Sequence, residues 1–473
     1  MNIVRIVVTM CMVLAIASHT SAQGKPAGAP QDLDALKQRL TELERSMADQ
    51  IAALRQQIAA IETPSPGGAA AAKPATPAAS QAPAGQETFS RDRETVAEVD
   101  NKPLDPAFLG FVSIPGTPAR VKVDGYAKLD TIIDSRPAGN TDRFVPSTIP
   151  IGLSDAQQSP STTMHVRQTR VNLDFRSPTE LGVDFRTFAE IDFFGTSGPV
   201  DPRMRHFFGQ LANVLVGQTW TTFIDVDAFP DSLDDDGSSV AVKLRQPQVR
   251  YTQRLTPTQN LAFAIERPET QARQITSTGA AYNPAPDVVV RYRLDGGKGH
   301  FQAGSLVRAL GYRVADRRTT TLGLGGNLSG LVKLGGGDAL SGSVVFGKGI
   351  ARYVENLVGT NSDLDLDDSG TDVAALPAFG GYISYLHKWP RRLRSTGVFG
   401  YTNVDTSDAQ PGASFLNSSY VLGNLLWNPV GSLDVGVEYL YGTHQVVSRD
   451  DAHVSRVQIS AKYDFFRKRP LTP

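Results

Sequence analysis

Arg203 and Arg205, two residues apart with His206 beside them, form the densest group in this chain that could grip an anion. A second basic pair, Lys243 and Arg245, closes a stretch rich in aspartate: Asp225, Asp227, Asp231, Asp234, Asp235 and Asp236. Arg170, Arg186, Arg250, Arg291, Arg293 and Arg308 extend the basic set. Arginine suits carboxylate recognition because its planar fork donates two parallel hydrogen bonds and stays charged at any relevant pH. The duller alternative is that these charges keep a polar surface wet and pair with nearby acids. The elements that carry them decide between the two.

Other chemistries find less support. His165, His206, His300, His387, His444 and His453 are scattered without metal-ligand spacing, which predicts solvated histidines and no metal. The run Asp363–Gly370 has carboxylates for Ca²⁺ but not the full spacing of a calcium loop, and reads as an exposed, solvated loop. Gly323-Leu324-Gly325-Gly326-Asn327 precedes no helix, so it is no nucleotide loop and suits a strand packed closely on a neighbour. A net charge of −1 and the lack of a long basic run argue against a nucleic-acid partner. No cofactor is expected.

Stepping along the chain, Met1–Ala22 reads as a cleaved secretory signal that contains the only cysteine, Cys11. Residues 23–62 hold a heptad seam (Leu33, Leu36, Leu40, Leu43, Met47, Leu54, Ile61, with Gln50 and Gln57), expected to form a coiled coil between chains or a single amphipathic helix on a domain. An Ala/Pro-rich linker and lead-in fills 63–119. From 120 to 473 the period becomes two. Val121, Val123, Gly125, Ala127, Leu129, Thr131 and Ile133 alternate with Lys122, Asp124, Tyr126, Lys128, Asp130 and Asp134, and the pattern recurs to the end. No apolar run after the signal is long enough for a membrane helix.

Seven short turns alternate with eight long connections: Ser135–Ser161, Gly195–Asp201, Thr221–Pro247, Arg267–Ala285, Val314–Arg318, Ala351–Leu376, Val404–Ser418 and Thr443–His453. That predicts an all-β transmembrane barrel of sixteen antiparallel strands in the outer membrane of a Gram-negative-type cell, with the N-terminal segment periplasmic. A soluble β-sandwich explains the alternation but not the short–long asymmetry. In the barrel, strand phase puts the basic set on the lumenal face, with Asp124, Asp130, Asp184, Glu190 and Asp192. No strand shows a Ser/His/acid set for a barrel enzyme.

Asp105-Pro106, Gly110-Phe111 and Ile114-Pro115-Gly116-Thr117 lead into Gly125-Tyr126-Ala127-Lys128-Leu129-Asp130, then Phe144–Pro150. Glu190–Gly195, Leu215–Trp220, Arg245–Tyr251 and, more faintly, Leu426–Val430 follow in order. Together these motifs resemble the DcaP-like outer-membrane porin family. The resemblance implies a homotrimeric sixteen-stranded channel with a periplasmic coiled coil, set among outer-membrane lipid and lipopolysaccharide, and taking up small anionic solutes such as dicarboxylates. The tail Arg467–Pro473 departs from barrels that end on a terminal aromatic. In trimeric porins generally the third long loop folds inward, so the resemblance implies that Thr221–Pro247 constricts the pore. Its aspartates would then face basic wall residues, or several would bind a divalent ion. The alternative role is a tether whose coiled coil contacts the cell wall.

Overall fold

The computed structural model describes residues 111–465, apart from 197, 199, 276–278, 315–316, 368–371 and 407–409. The signal, the heptad seam, the Ala/Pro tether and the basic tail lie outside the described residues, as does part of the acidic run 363–370. The chain divides into Met1–Ala84 and Gly85–Pro473, and the described residues belong to the second unit.

Sixteen antiparallel strands make up the barrel wall. The first eight are β1 (Arg120–Asp134), β2 (Ser161–His165 continuing as Arg170–Pro178), β3 (Asp184–Asp192), β4 (Arg203–Leu211), β5 (Val214–Trp220), β6 (Arg245–Thr256), β7 (Gln259–Glu266) and β8 (Ala280–Tyr282 continuing as Asp287–Gly296). Then come β9 (Gly299–Val314), β10 (Arg317–Gly335), β11 (Asp338–Lys348), β12 (Pro377–Lys388), β13 (Leu393–Val404), β14 (Phe415–Val430), β15 (Leu433–Val446) and β16 (Asp451–Asp464). Each pairs with its neighbours, and β1 pairs with β16 from Tyr126↔Asp464 to Asp134↔Arg456. That closing ladder excludes the sandwich. It also removes the free edge whose unpaired N–H and C=O groups hydrocarbon cannot satisfy. Below Tyr126 the β16 side of β1 is covered by the lead-in, where Val112 pairs with Val121.

The two faces of the wall are inverted relative to a soluble protein. On β1, Tyr126, Lys128, Asp130 and Asp134 are buried while Leu129 and Ile133 are exposed. Phe263 and Ile265 on β7, and Phe399 on β13, are likewise turned outward. An apolar outer face is stable only against acyl chains, and a polar inner face only against water or other polar groups.

Two connections differ from the expected pattern. Val314–Arg318 is not a long loop: β9 and β10 stay paired to Val314↔Arg317. Thr443–His453 shrinks likewise, because β15 runs to Val446 and β16 begins at Asp451. In both places polar residues that read as loop are hydrogen-bonded ladder extending past the apolar band. The strand count is unchanged, because a longer strand does not add a crossing.

Three loops fold inside the wall: 135–160, 221–244 and 349–376. Their apolar residues form a continuous core that includes Phe144 and Ile149, Phe223, Ile224 and Val240, and Ile350, Tyr353 and Val354. Glycines on the inner wall admit this core. A Cβ on Gly304 of β9 would stand 3.0 Å from the Phe223 ring, and one on Gly325 of β10 would stand 2.8 Å from Ile350. The glycine run of β10 is therefore a close-packing surface for loops. Gly325→Leu should cost about 1–3 kcal/mol by overpacking, seen as a lower temperature for loss of the compact barrel on gels. Gly297→Ala, where a Cβ meets nothing within 4 Å, should leave that temperature unchanged.

Candidate functional site

Loop 221–244 leaves β5 at Trp220 and rejoins the wall at Arg245, directly opposite it in the ladder. In between it meets inward side chains from almost every sector of the wall. Glu266 of β7 accepts from Thr222 N at 2.7 Å, Asn327 of β10 donates to Phe223 O at 2.8 Å, and Gln302 of β9 donates to Ile224 O at 2.6 Å. Tyr382 of β12 donates to Ala228 O at 3.0 Å. Across the lumen, Glu438 of β15 accepts from Leu233 N at 2.8 Å and Asp234 N at 3.0 Å, and Lys128 of β1 donates to Leu233 O. These bonds supply partners for backbone groups that would otherwise be buried unpaired.

Loop 349–376 forms a second layer on the first. Lys243 N donates to Tyr353 O at 3.1 Å, Glu355 N to Ala241 O at 3.1 Å, and Asn356 N to Ser239 O at 2.8 Å. Loop 135–160 joins them: Arg143 reaches Glu355 at 3.1 Å and Asp236 at 3.5 Å, and Ser147 N donates to Asn356 Oδ1 at 3.0 Å.

The loop's aspartates find separate partners. Asp225 takes His300 at 2.8 Å and Arg293 at 3.5 Å, and Asp227 takes Arg293 at 2.7 Å. Asp231 takes Arg394 at 2.6 Å, Asp235 takes Arg170 at 2.8 Å, and Asp236 takes Lys243 at 3.0 Å. Asp234 accepts from Phe144 N and Asp236 N, both at 3.0 Å. Among the described residues no group of three or more His, Cys, Asp and Glu side chains could hold a metal ion.

Their protonation follows these surroundings. Burial pushes Asp225 up, but the hydrogen bond and charge of His300, with Arg293 and Ser329, hold it down at about 2. Against burial, Lys243 and Arg170 hold Asp235 well below the ordinary carboxylate range, and Lys243 and Arg143 hold Asp236 down. Asp234 goes the other way. Burial first, then the neighbouring Asp236 and Glu438, raise it to about 8, with Arg456 and Lys243 opposing. Burial and Asp236 also raise Glu355.

The basic residues fall into groups. Arg203 and Arg205 stand at the start of β4, directly after the connection 195–202. The register slips so that Glu190 faces His206 and Ile191 faces Met204, leaving Arg205 as the extra residue of a bulge. Arg205 and His206 are both fully buried. Arg205 binds Glu190 at 2.7 Å and Asp192 at 3.0 Å, and Arg203 binds Asp192 at 2.6 Å. Arg245 stacks on Trp220 with its guanidinium carbon 4.4 Å from the ring centroid, and its buried Nη1 has no hydrogen-bond acceptor in the protein. Arg170, Arg203, Arg205, Lys243 and Arg245 thus gather around Asp192 and Asp235. Arg293 serves the other end of the loop. Arg308 belongs with loop 349–376, binding Asp363 at 2.9 Å and Asp287 at 3.1 Å. Arg186 is paired with Asp174 at 2.8 Å, away from the loop. Arg250 and Arg291 are buried on the lumenal faces of β6 and β8.

Two sequence expectations are corrected. The histidines are not uniformly solvated: His206 is sealed against Thr219 Oγ1 at 3.0 Å, and His300 binds Asp225. Asp363 and Asp365 are buried rather than exposed, because Arg308 and, at 2.6 Å, Arg273 neutralise them. Sequence reasoning also missed Arg143, Arg167, Arg394 and Glu438 as site members. Arg394 and Glu438 stand on polar strand phases and could have been found. Arg143 and Arg167 come from irregular segments that bear no periodic signal, yet with Arg203 they surround the Phe194 ring, each guanidinium carbon within 5.9 Å of its centroid.

The comparisons with known proteins can be set beside this geometry. The crystal structure of the outer membrane channel DcaP of Acinetobacter baumannii superposes with a TM-score of 0.67 at 22% identity, covering 76% of this chain and 100% of that one. The anion-selective porin from Comamonas acidovorans gives 0.49 at 11% identity, over 73% of this chain and 100% of that one. No curated protein matches the chain. The family model for DcaP outer membrane protein matches residues 112–465, the whole barrel, and the chain belongs to that outer-membrane porin family.

Proposed function

We propose that this protein is a passive diffusion channel for small hydrophilic solutes that prefers anions such as dicarboxylates. The observation that carries the reading is the arginine cluster at the root of the inward loop. Around it six cations (Arg143, Arg170, Arg203, Arg205, Lys243, Arg245) meet six carboxyls (Glu190, Asp192, Asp234, Asp235, Asp236, Glu355). Asp234, pushed up to about 8, and Glu355, also raised, weaken the negative side of this set at neutral pH. Arg245 is partly exposed and held flat by Trp220, while its Nη1 is buried. A carboxylate passing it gains a charge-assisted hydrogen bond without breaking an existing ion pair, and the low-dielectric walls focus the field. The inward loop is the constriction in this reading, and its aspartates position the wall cations. The chain works as a homotrimer in lipid and lipopolysaccharide, with the heptad seam of 23–62 joining the subunits in the periplasm.

Arg245→Ala should weaken dicarboxylate binding by about 1.5–3 kcal/mol, read from current block in planar bilayers, and should move the reversal potential in a salt gradient towards zero. Cation selectivity in the unaltered protein would sink the reading.

Asp234 keeps its proton in the fold up to about 8, far above its ordinary 3.8. The stability tied to this group is complete below its unfolded value and is lost as pH rises through the folded one. Raising the pH from 6 to above about 8 should therefore add a negative charge, lower anion selectivity and increase open-channel noise. Asp234→Asn should remove that pH dependence while retaining the neutral-pH selectivity.

A further inference from the structure

The turn Pro390-Arg391-Arg392 between β12 and β13 carries an unusual expense of conformation. Arg391 and Arg392 both have φ of 61°, a left-handed region that side chains other than glycine and asparagine rarely adopt. Hairpin tips needing such angles ordinarily use Asn-Gly. Both arginines are exposed, and the turn is closed by ordinary strand bonds, Trp389 N to Leu393 O at 3.0 Å. The folded chain therefore tolerates strain at two positions where only the side chains distinguish arginine from a better turn former.

These side chains do not stand alone. The neighbouring turns on the same end of the barrel present Lys298, between β8 and β9, and Lys333, near the end of β10, both exposed. The two turns are tied together by Lys333 N donating to Lys298 O at 2.7 Å. Lys388, on the inward phase of β12 with Leu386, lies across the next turn, where Gly337 has φ of 95°, a conformation that favours glycine. Nearby carboxylates are already engaged: Asp295 by Arg293 at 2.8 Å, and Asp338 by Tyr385 at 2.7 Å and His387 at 2.9 Å. Lys298, Lys333, Arg391 and Arg392, all exposed, thus form an arc on the short-turn rim from β8 to β13.

The arc has a depth marker. Two of the chain's three tryptophans flank the arginine turn: Trp389 at its start, and Trp427 on β14, paired with Leu393 at its end. They are 50% and 48% exposed on the outer face, beside Tyr385 at 44%. Outward tryptophan and tyrosine mark the boundary between hydrocarbon and headgroup. Arg391 and Arg392, beyond them in the turn, sit at the level of lipid phosphates.

We propose that the arc of Lys298, Lys333, Arg391 and Arg392 is a binding site for the headgroups of anionic phospholipids in the leaflet on the short-turn side. The guanidiniums clamp phosphate oxygens through paired donors, the lysines supply point charge, and the aromatic pair seats the acyl chains. The site is separate from the lumen.

The test uses the full-length protein in vesicles of phosphatidylethanolamine alone or mixed with phosphatidylglycerol, with retained lipid counted by native mass spectrometry. The unaltered protein should retain phosphatidylglycerol preferentially and melt higher in the mixed vesicles. The variant R391N/R392G places a better turn sequence there, so it should melt no lower in detergent. Each cation lost should weaken anionic-lipid retention about fivefold, so the double variant should lose more than about tenfold. Lys298→Gln with Lys333→Gln tests the same arc without touching the strained turn, and should lose retention as well. No preference in the unaltered protein, or undiminished preference in both variants, would overturn the site. Equal protection by inorganic phosphate would overturn its assignment to lipid. Conductance and ion selectivity of the variants should match the unaltered protein, which separates this inference from the channel reading.

Discussion

The pairing of carboxylates on loop 221–244 with cations on the barrel wall is the constraint on which the interior depends. A closed cylinder with a polar inner face leaves charged groups pointing into a confined space. Each must be hydrated or matched. Here the loop carries the matching groups to Arg293, Arg394 and Arg170, at points spread around the circumference. Removing one partner of a buried pair leaves the other uncompensated, at a cost of roughly 3–5 kcal/mol. The loop is therefore pinned at several points rather than hinged at two.

Its position determines that of the other loops. Loop 349–376 hydrogen-bonds to the backbone of the first, and loop 135–160 reaches both through Arg143. Their apolar side chains make one core with inward apolar residues of the wall such as Leu306, Val345, Leu422 and Leu440. The wall accommodates it at glycines 304 and 325, where bare backbone lets Phe223 and Ile350 approach. Ion pairs set where the loops go, and burial of apolar area makes them compact once there.

The arginine cluster is a by-product of the same geometry with a use of its own. A bulge in β4 turns two consecutive side chains inward, and the ladder sets Arg245 against Trp220. Most of these cations are committed to structural acids. Burial and neighbouring like charges raise Asp234, which weakens the negative side of the network. In the proposed channel, selectivity is therefore a property of the whole charge network.

Much of the architecture was legible in the residues. Period-two alternation determined the strands and which face each residue takes, because a strand's side chains alternate whatever the partner. Length alone marked the loop after Trp220 as exceptional. The sequence misjudged the links after Val314 and Val446, since polar ladder and polar loop have the same composition. It could not foresee that loop 349–376 folds inward, that Asp363 and Asp365 are buried against arginines, or that Arg143 and Arg167 gather at Phe194. Those facts depend on contacts between segments far apart in the chain, where no spacing rule applies. Which residues face the lumen was written locally. Which of them meet there, and which acids keep their protons, was decided only when the barrel closed around its own loops.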